Sequence, residues 1–338
     1  MKKWPIFAVT AVLLVLYGCM VVHWFGIKPT PSEPVESTAA PVVEIIAAPT
    51  TEPTTVPTTV VTEPTLPFFD APNEMALTAQ HAFVYDLTFD QLLYTYGDQN
   101  ERISPASLTK LFTVYVALQH LQEDAVIEVG EEATWIARDS SVAAIRNGNR
   151  LTVSMIVQGT LMQSGNDGAY ALAVAAGRAI ARDPLLDAQA ALATFMAEMN
   201  RQLELNGMTN TNFVTPDGYD KTGHYSTAAD LMQIARIAMT EPLILRYAAM
   251  PEAVVTYESG ENYTWKNTNW MLRETDHPEF FVPEATGLKT GGTSKAGQCL
   301  IATFQDGDRT LLIGVLGCEL IEERFLDAIY LFEHYRLP

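Results

Sequence analysis

Basic residues are scarce in this chain. Against 40 Asp and Glu it carries 21 Lys and Arg, a formal charge of −19 over 338 residues. Nucleic-acid binding needs clustered Lys and Arg to meet phosphate, so no nucleic-acid partner is expected. The ordinary meaning of such a balance is a solvated acidic surface. Cysteine is scarce as well: Cys19, Cys299 and Cys318 are all there are. Three thiols in a chain this long make no disulfide framework. A Cys299–Cys318 bridge stays open in an oxidising compartment, but free, mostly buried thiols are the expectation. No Cys-x-x-Cys pair and no His-rich spacing occurs, so neither a metal site nor a cofactor is expected.

Charge is also missing from residues 4–27, which contain no Asp, Glu, Lys or Arg. At 1.5 Å per residue a helix over this run reaches about 36 Å, enough for a hydrocarbon core of about 30 Å. Lys2 and Lys3 precede it and favour a cytoplasmic N-terminus over residues 1–3. An uncleaved transmembrane anchor at 4–27 is the leading expectation. Two alternatives share the run: a lipoprotein site at Leu16-Tyr17-Gly18-Cys19, with Cys19 lipidated, and a cleaved signal peptide. All three place the remainder outside the cytoplasm, and the first two hold it at the membrane. Residues 28–67 are rich in Pro, Thr, Val and Ala, with Thr-Glu-Pro at 51–53 and 62–64. They hold too little bulky apolar surface to offset ordering entropy and are expected to form a disordered linker.

From Phe68 to Pro338 the composition is that of one globular domain with ample core. Residues 81–97 suggest a β-hairpin. Residues 107–121 suggest a helix apolar on most sides and therefore buried. Residues 155–181 suggest two helices broken near Ser164-Gly165-Asn166, and 186–205 and 227–240 suggest one each. Residues 299–317 read as two strands around the turn signal Asp306-Gly307-Asp308, with a final helix over 320–334. Strands at both ends and helices between give an α+β domain, a helical cluster against a mostly antiparallel sheet.

Three short elements carry chemistry. In Arg102-to-Leu118, Ser104 is a candidate N-cap with Pro105 at the first helical position, which puts Ser107 in the first turn. Lys110, three residues on, shares its face. A serine hydroxyl needs a neighbouring base, and a neutral lysine can be one. Bringing an amine from about 10.4 to near 7 takes about 4 to 5 kcal/mol, which burial and a second cation can supply. Ser164 and Asn166 on the loop between two helices could relay a proton and hold a substrate amide. Lys-Thr-Gly occurs twice, at 221–223 and 289–291. The first lies between the turn signal Asp217-Gly218 and the helix cap Ser226-Thr227, beside Asp220 and His224, and fits a polar loop. There His224 is expected to satisfy local hydrogen bonds. The second leads into the predicted strands, so Lys289-Thr290-Gly291 is the better candidate for an edge strand that pairs with an extended substrate.

Ser107-x-x-Lys110, Ser164-x-Asn166 and Lys289-Thr290-Gly291, in that order, resemble the motif triplet of penicillin-binding proteins and serine β-lactamases. The flanks PASLTK, SGNDGAYALA, FVTPDGYDKTGHYSTAADL and GLKTGGTSKAGQCLIA resemble the low-molecular-weight D-alanyl-D-alanine carboxypeptidases, over about residues 75–338. The resemblance implies a β-lactamase/penicillin-binding-protein-like transpeptidase fold and peptidoglycan stem peptides as substrate, with β-lactams as covalent inhibitors. It implies Ser107 as the nucleophile, Lys110 as its base and Ser164 as a proton relay assisted by Lys289. Asn166 would position the substrate amide, while Lys289 and Thr290 bind the terminal carboxylate. Gly291 would let substrate approach, and the backbone N–H groups of Ser107 and Gly292 would form the oxyanion hole. Gly168 replaces the family's usual Ala and is expected to loosen the start of its helix. Many members carry a further C-terminal domain and helix; with Pro338 so soon after the catalytic domain, neither is expected here, and an N-terminal anchor is expected instead. A β-lactamase, a D,D-endopeptidase and a non-catalytic β-lactam sensor are the alternatives on the same motifs. Glu241, the glutamate a β-lactamase would need for deacylation, looks instead like a helix terminus. Lys289→Ala should cripple turnover of a D-Ala-D-Ala peptide and Lys221→Ala should leave it largely intact. The reverse ranking in a D-Ala release assay would sink the edge-strand assignment.

Overall fold

The computed structural model describes residues 77–336. The expected segment 4–27 and linker 28–67 lie outside that range. Among the described residues no helix is long and apolar enough to cross a membrane.

A five-stranded antiparallel sheet is built from β1 (His81–Asp86), β2 (Gln91–Tyr96), β7 (Ala285–Thr293), β8 (Gly297–Asp306) and β9 (Arg309–Cys318), in the order β2-β1-β9-β8-β7. The β1–β2 and β8–β9 hairpins match the sequence reading. Side chains alternate faces along a strand, and the sheet uses both. Ala82, Val84, Leu300, Ala302, Phe304, Leu311, Ile313 and Val315 join one core, closed by Phe325, Leu331 and Phe332 of the final helix, α7 (Glu323–Tyr335). Phe304 stacks on Phe332 at 4.3 Å between ring centroids. Phe83, Tyr85, Ile301, Leu312 and Leu316 join a second core with the helical cluster. The inner strands are therefore buried on both faces, and the long apolar run at 299–317 follows from that. A buried Arg309–Asp86 ion pair ties β9 to β1.

The helical cluster comprises α1 (Thr109–Leu118), α2 (Val153–Met162), α3 (Asn166–Ala181), α4 (Ala188–Leu205), α5 (Ala228–Ala238) and α6 (Pro242–Ala248). Helix α1 is buried almost all round, as its composition predicted. Caps set the starts: Thr152 Oγ1 accepts from Met155 N–H, Asp187 from Gln189 and Ala190, and Thr227 from Asp230. Glu241 is the cap residue of α6 with Pro242 at its first position. Two small two-stranded sheets were not legible in the sequence: β3 (Val126–Glu128) with β4 (Arg150–Thr152), and β5 (Glu252–Thr256) with β6 (Asn262–Lys266).

Two local expectations need correction. Ser104 is no N-cap: a 3-10 turn, Ala106–Leu108, starts after Pro105 without any side-chain cap. Ser104 Oγ instead donates to Asp220 Oδ1 across the chain. Gly168 does not loosen α3. A Cβ there would lie 2.4 Å from Thr160 Oγ1 of α2, so the glycine is what lets the two helices pack closely. Cys299 and Cys318 are free and buried, and burial pushes both thiols up, to about 11 and about 12.

Gly168→Ala should therefore destabilise the domain through overpacking, by about 1–3 kcal/mol, against the gain in helix propensity that Ala would bring on a free surface. A urea denaturation midpoint at or above wild type would refute the close-packing account.

Candidate active site

The 3-10 turn Ala106–Leu108 runs straight into α1, so Ser107 sits at the mouth of a buried helix. Ala106 has φ +49°, a left-handed conformation rare for a residue with a Cβ. Two glycines press on it. A Cβ at Gly218 would lie 1.8 Å from Ala106 O, and one at Gly291 would lie 3.2 Å from Ala106 Cβ. Gly291 thus makes room for the turn that carries Ser107, and it also lines the cleft described below.

Lys110 is fully buried. Its Nζ lies 2.7 Å from Ser107 Oγ and 2.8 Å from the Asp217 carbonyl oxygen. Burial pushes the ammonium down to about 8, against the weaker opposing pull of the Asp217 and Asp167 carboxylates. Asp167 accepts the N–H groups of Ala143, Ile145 and Gly168, which pins the 143–145 loop beside the site.

Ser164 stands at the break between α2 and α3 with φ +55° and is 5% exposed. Asn166 opens α3, is also buried, and donates its Nδ2–H to Ser140 Oγ at 2.8 Å. Lys289, Thr290, Gly291 and Gly292 lie on β7, the free edge of the sheet. Lys289 is 1% exposed and donates to the Thr290 carbonyl at 2.9 Å. Burial, then the neighbouring Lys110 and Arg324 charges, hold it well below the usual lysine range. Thr290 Oγ1 meets Thr268 Oγ1 at 2.6 Å.

Ser107, Ser164, Thr268, Thr290, Gly291, Gly292, Lys295 and Arg324 line one cleft of about 680 Å³. A smaller chamber beside it, about 80 Å³, is bounded by Ser107, Asn166, Gly292, Asp139, Asp217 and Tyr219. Lys110 and Lys289 are buried, in hydrogen-bond contact with the lining residues Ser107 and Thr290. Of the other sequence-predicted residues, Ser107, Ser164, Thr290, Gly291 and Gly292 line the cleft and Asn166 the chamber beside it. The other Lys-Thr-Gly, at Lys221, lies in a loop outside both.

A family model described as D-alanyl-D-alanine carboxypeptidase matches residues 69–319. The chain belongs to that family. Among curated relatives, D-alanyl-D-alanine carboxypeptidase DacC of Escherichia coli is 31% identical over 69% of this chain and 55% of its own length. The DacD protein of the same organism is 32% identical over 78% of this chain and 64% of its own. This member thus spans somewhat more than half the length of such relatives. The Streptomyces K15 DD-transpeptidase structure superposes with a TM-score of 0.68 at 27% identity, covering 78% of this chain and 98% of that one. Penicillin-binding protein D2 of Listeria monocytogenes, solved with ampicillin, gives 0.61 at 28% identity over 78% and 98%. The α+β arrangement is that of the penicillin-binding DD-peptidases.

Three parts of this family member's site escaped the sequence reading. Arg324 of α7 lines the cleft and donates from Nη1 to Gly291 O at 2.9 Å and Gln298 Oε1 at 3.1 Å. Burial lowers it to about 10, so it stays charged at neutral pH. An Arg in an amphipathic helix reads as a solvated face, and nothing in its local pattern marks it otherwise. Thr268 stands alone in a loop. The Asp217 acceptor is a backbone atom, which no side-chain motif announces.

Lys110 also leaves a thermodynamic signature. With a folded value near 8 and an unfolded value near 10.4, the unfolded chain binds more protons between those limits. Stability must therefore rise as pH is raised from about 8 to about 10.4. Lys110→Met should flatten that part of the curve in urea unfolding at stepped pH; an equally steep rise in the variant would show that the amine is not the source.

Proposed function

We propose that this chain is a serine-type D-Ala-D-Ala carboxypeptidase that removes the terminal D-Ala from peptidoglycan stem peptides and is acylated by β-lactams. The observation that carries the reading is the 2.7 Å contact between Ser107 Oγ and a wholly buried Lys110 amine. As an ammonium Lys110 donates to Ser107; once neutral it can take the hydroxyl proton. Ser107 Oγ attacks the carbonyl of the penultimate D-Ala, and the N–H groups of Ser107 and Gly292 receive the developing oxyanion. Ser164, whose hydroxyl opens onto the same cleft, passes a proton to the leaving D-Ala nitrogen, with Lys289 behind it. The C–N bond breaks, the acyl group stays on Ser107, and water then releases it.

The substrate strand lies along the free edge of β7. Asn166 holds an amide of the acyl part. Thr290 Oγ1 and Lys289 bind the leaving carboxylate, and Arg324 and Lys295 are further cations on the cleft lining. A bidentate guanidinium suits a carboxylate. Support for carboxypeptidase over β-lactamase comes from Glu241, which caps α6 and lines neither the cleft nor its side chamber. The charge-free run 4–27 behind Lys2 and Lys3 supports an extracytoplasmic, membrane-held domain; recovery of the full chain from cytosol would count against that placement.

Ser107→Ala should abolish both D-Ala release and covalent labelling by a fluorescent penicillin, with loss beyond about 10³-fold. Wild-type acylation should climb with pH through about 8 as Lys110 loses its proton. Cross-link cleavage in the absence of D-Ala release would make the enzyme an endopeptidase, and labelling with neither would make it a sensor.

A further inference from the structure

The Lys-Thr-Gly at 221–223 takes no part in the reaction proposed above. It forms a turn. The Lys221 carbonyl accepts the His224 N–H at 2.9 Å, and Gly223 at φ +86° occupies the third of the four turn positions, where a positive φ favours glycine. The turn aims His224 into the core, where it is 2% exposed and stacks on Phe213 at 5.1 Å between centroids. Its Nδ1 accepts the Val214 N–H at 3.0 Å, with Thr215 N–H more distant at 3.4 Å. A ring nitrogen that accepts from backbone carries no hydrogen, so Nε2 carries it and donates to Thr109 Oγ1 at 3.1 Å. Asp217, Asp220 and Lys295 are the charges facing the ring. Burial, aided by Lys295, outweighs the two carboxylates and holds the imidazole down to about 4, neutral under ordinary conditions.

Thr109 immediately precedes Lys110. Two more hydrogen bonds join the same loop to α1: Thr113 Oγ1 donates to Pro216 O at 2.6 Å, and Lys110 Nζ to Asp217 O at 2.8 Å. The loop is thus fixed to one helix by three ties, with His224 supplying the one beside the base. We propose that His224 is a positioning residue for Lys110: by fixing residues 213–217 to α1 at Thr109, it keeps the Asp217 carbonyl where it accepts one amine hydrogen and leaves the amine aimed at Ser107 Oγ. This rests on Lys110 being the base of a Ser107 acyl-enzyme.

The test compares wild type with Thr109→Val, Thr109→Ser and His224→Phe. Acylation by a fluorescent penicillin is followed from pH 5 to pH 10 and resolved into initial binding and the acylation step. Active sites are counted by mass spectrometry and Tm is recorded. Thr109→Val keeps the shape and removes the tie; Thr109→Ser keeps the hydroxyl. Per active site, Thr109→Val and His224→Phe should slow the acylation step about 10- to 100-fold, as a small misplacement of a catalytic group does, with initial binding unchanged. The acid limb should move to lower pH, because the ammonium has lost an acceptor while Asp217, Asp167 and Lys289 still face it. Thr109→Ser should stay close to wild type. Should His224→Phe fail to fold, Thr109→Val decides. An unchanged rate per active site, or a loss that follows the folded fraction while the limb stays in place, overturns the proposal. Failure of wild type to label at Ser107 would remove the reading beneath it and the proposal together; labelled wild type with unaffected variants sinks the proposal alone.

Discussion

An amine with no access to water cannot carry its charge cheaply. Lys110 and Lys289 are both fully buried, and neither makes a hydrogen bond to a carboxylate. Arg324 lies close enough to Lys289 to oppose its charge. A guanidinium keeps its proton where an ammonium yields it, so the arginine stays positive and the lysines move toward neutrality. The fold spends stability to produce this state. Burying a charged amine disfavours the folded protein by the same free energy that makes the amine basic at a useful pH. The two packed cores on either side of the sheet supply what the site gives up.

Positive backbone φ values mark the same region. Ala106, next to Ser107, and Ser164, at the helix break, both adopt left-handed conformations. Such conformations cost on the order of 1–3 kcal/mol each and persist only where surrounding structure over-determines them. At Ala106 the surroundings are Gly218 and Gly291. At Ser164 they include the nearby Asp167 carboxylate, held by the backbone N–H groups of Ala143, Ile145 and Gly168. The Asp167 carboxylate therefore orders a loop, while a backbone carbonyl, that of Asp217, holds the Lys110 amine.

Much of this architecture could be read from residues alone, for identifiable reasons. Helix α1 is apolar on nearly every side, so its burial, and that of Lys110 within it, followed without tertiary information. The Lys-Thr-Gly on β7 was separable from its copy because glycines and a β-rich run follow it, whereas Asp, His and a cap surround the other. The rest depended on contacts between distant segments. Thr152 capping α2 is a local signal, but a three-residue strand such as β3 has no period to detect. Ser104 looked like a cap because Pro105 follows it, yet its hydroxyl is claimed by Asp220, far along the chain. Gly168 was judged by helix propensity, and the close approach of Thr160 overrode that judgement. Arg324 was hidden by the amphipathic pattern of its helix.

The crowding around Ala106 has a bearing on folding as well as on catalysis. The nucleophile's turn is wedged between a loop near residue 218 and a strand near residue 291, and Lys110 finds its carbonyl partner 107 positions away. None of those contacts is local, so loop-closure entropy must be overcome before any of them forms. On the proposed acylation of Ser107 by penicillin, a covalent label counts domains in which these long-range contacts are in place, and makes refolding yield of the described domain measurable one molecule at a time.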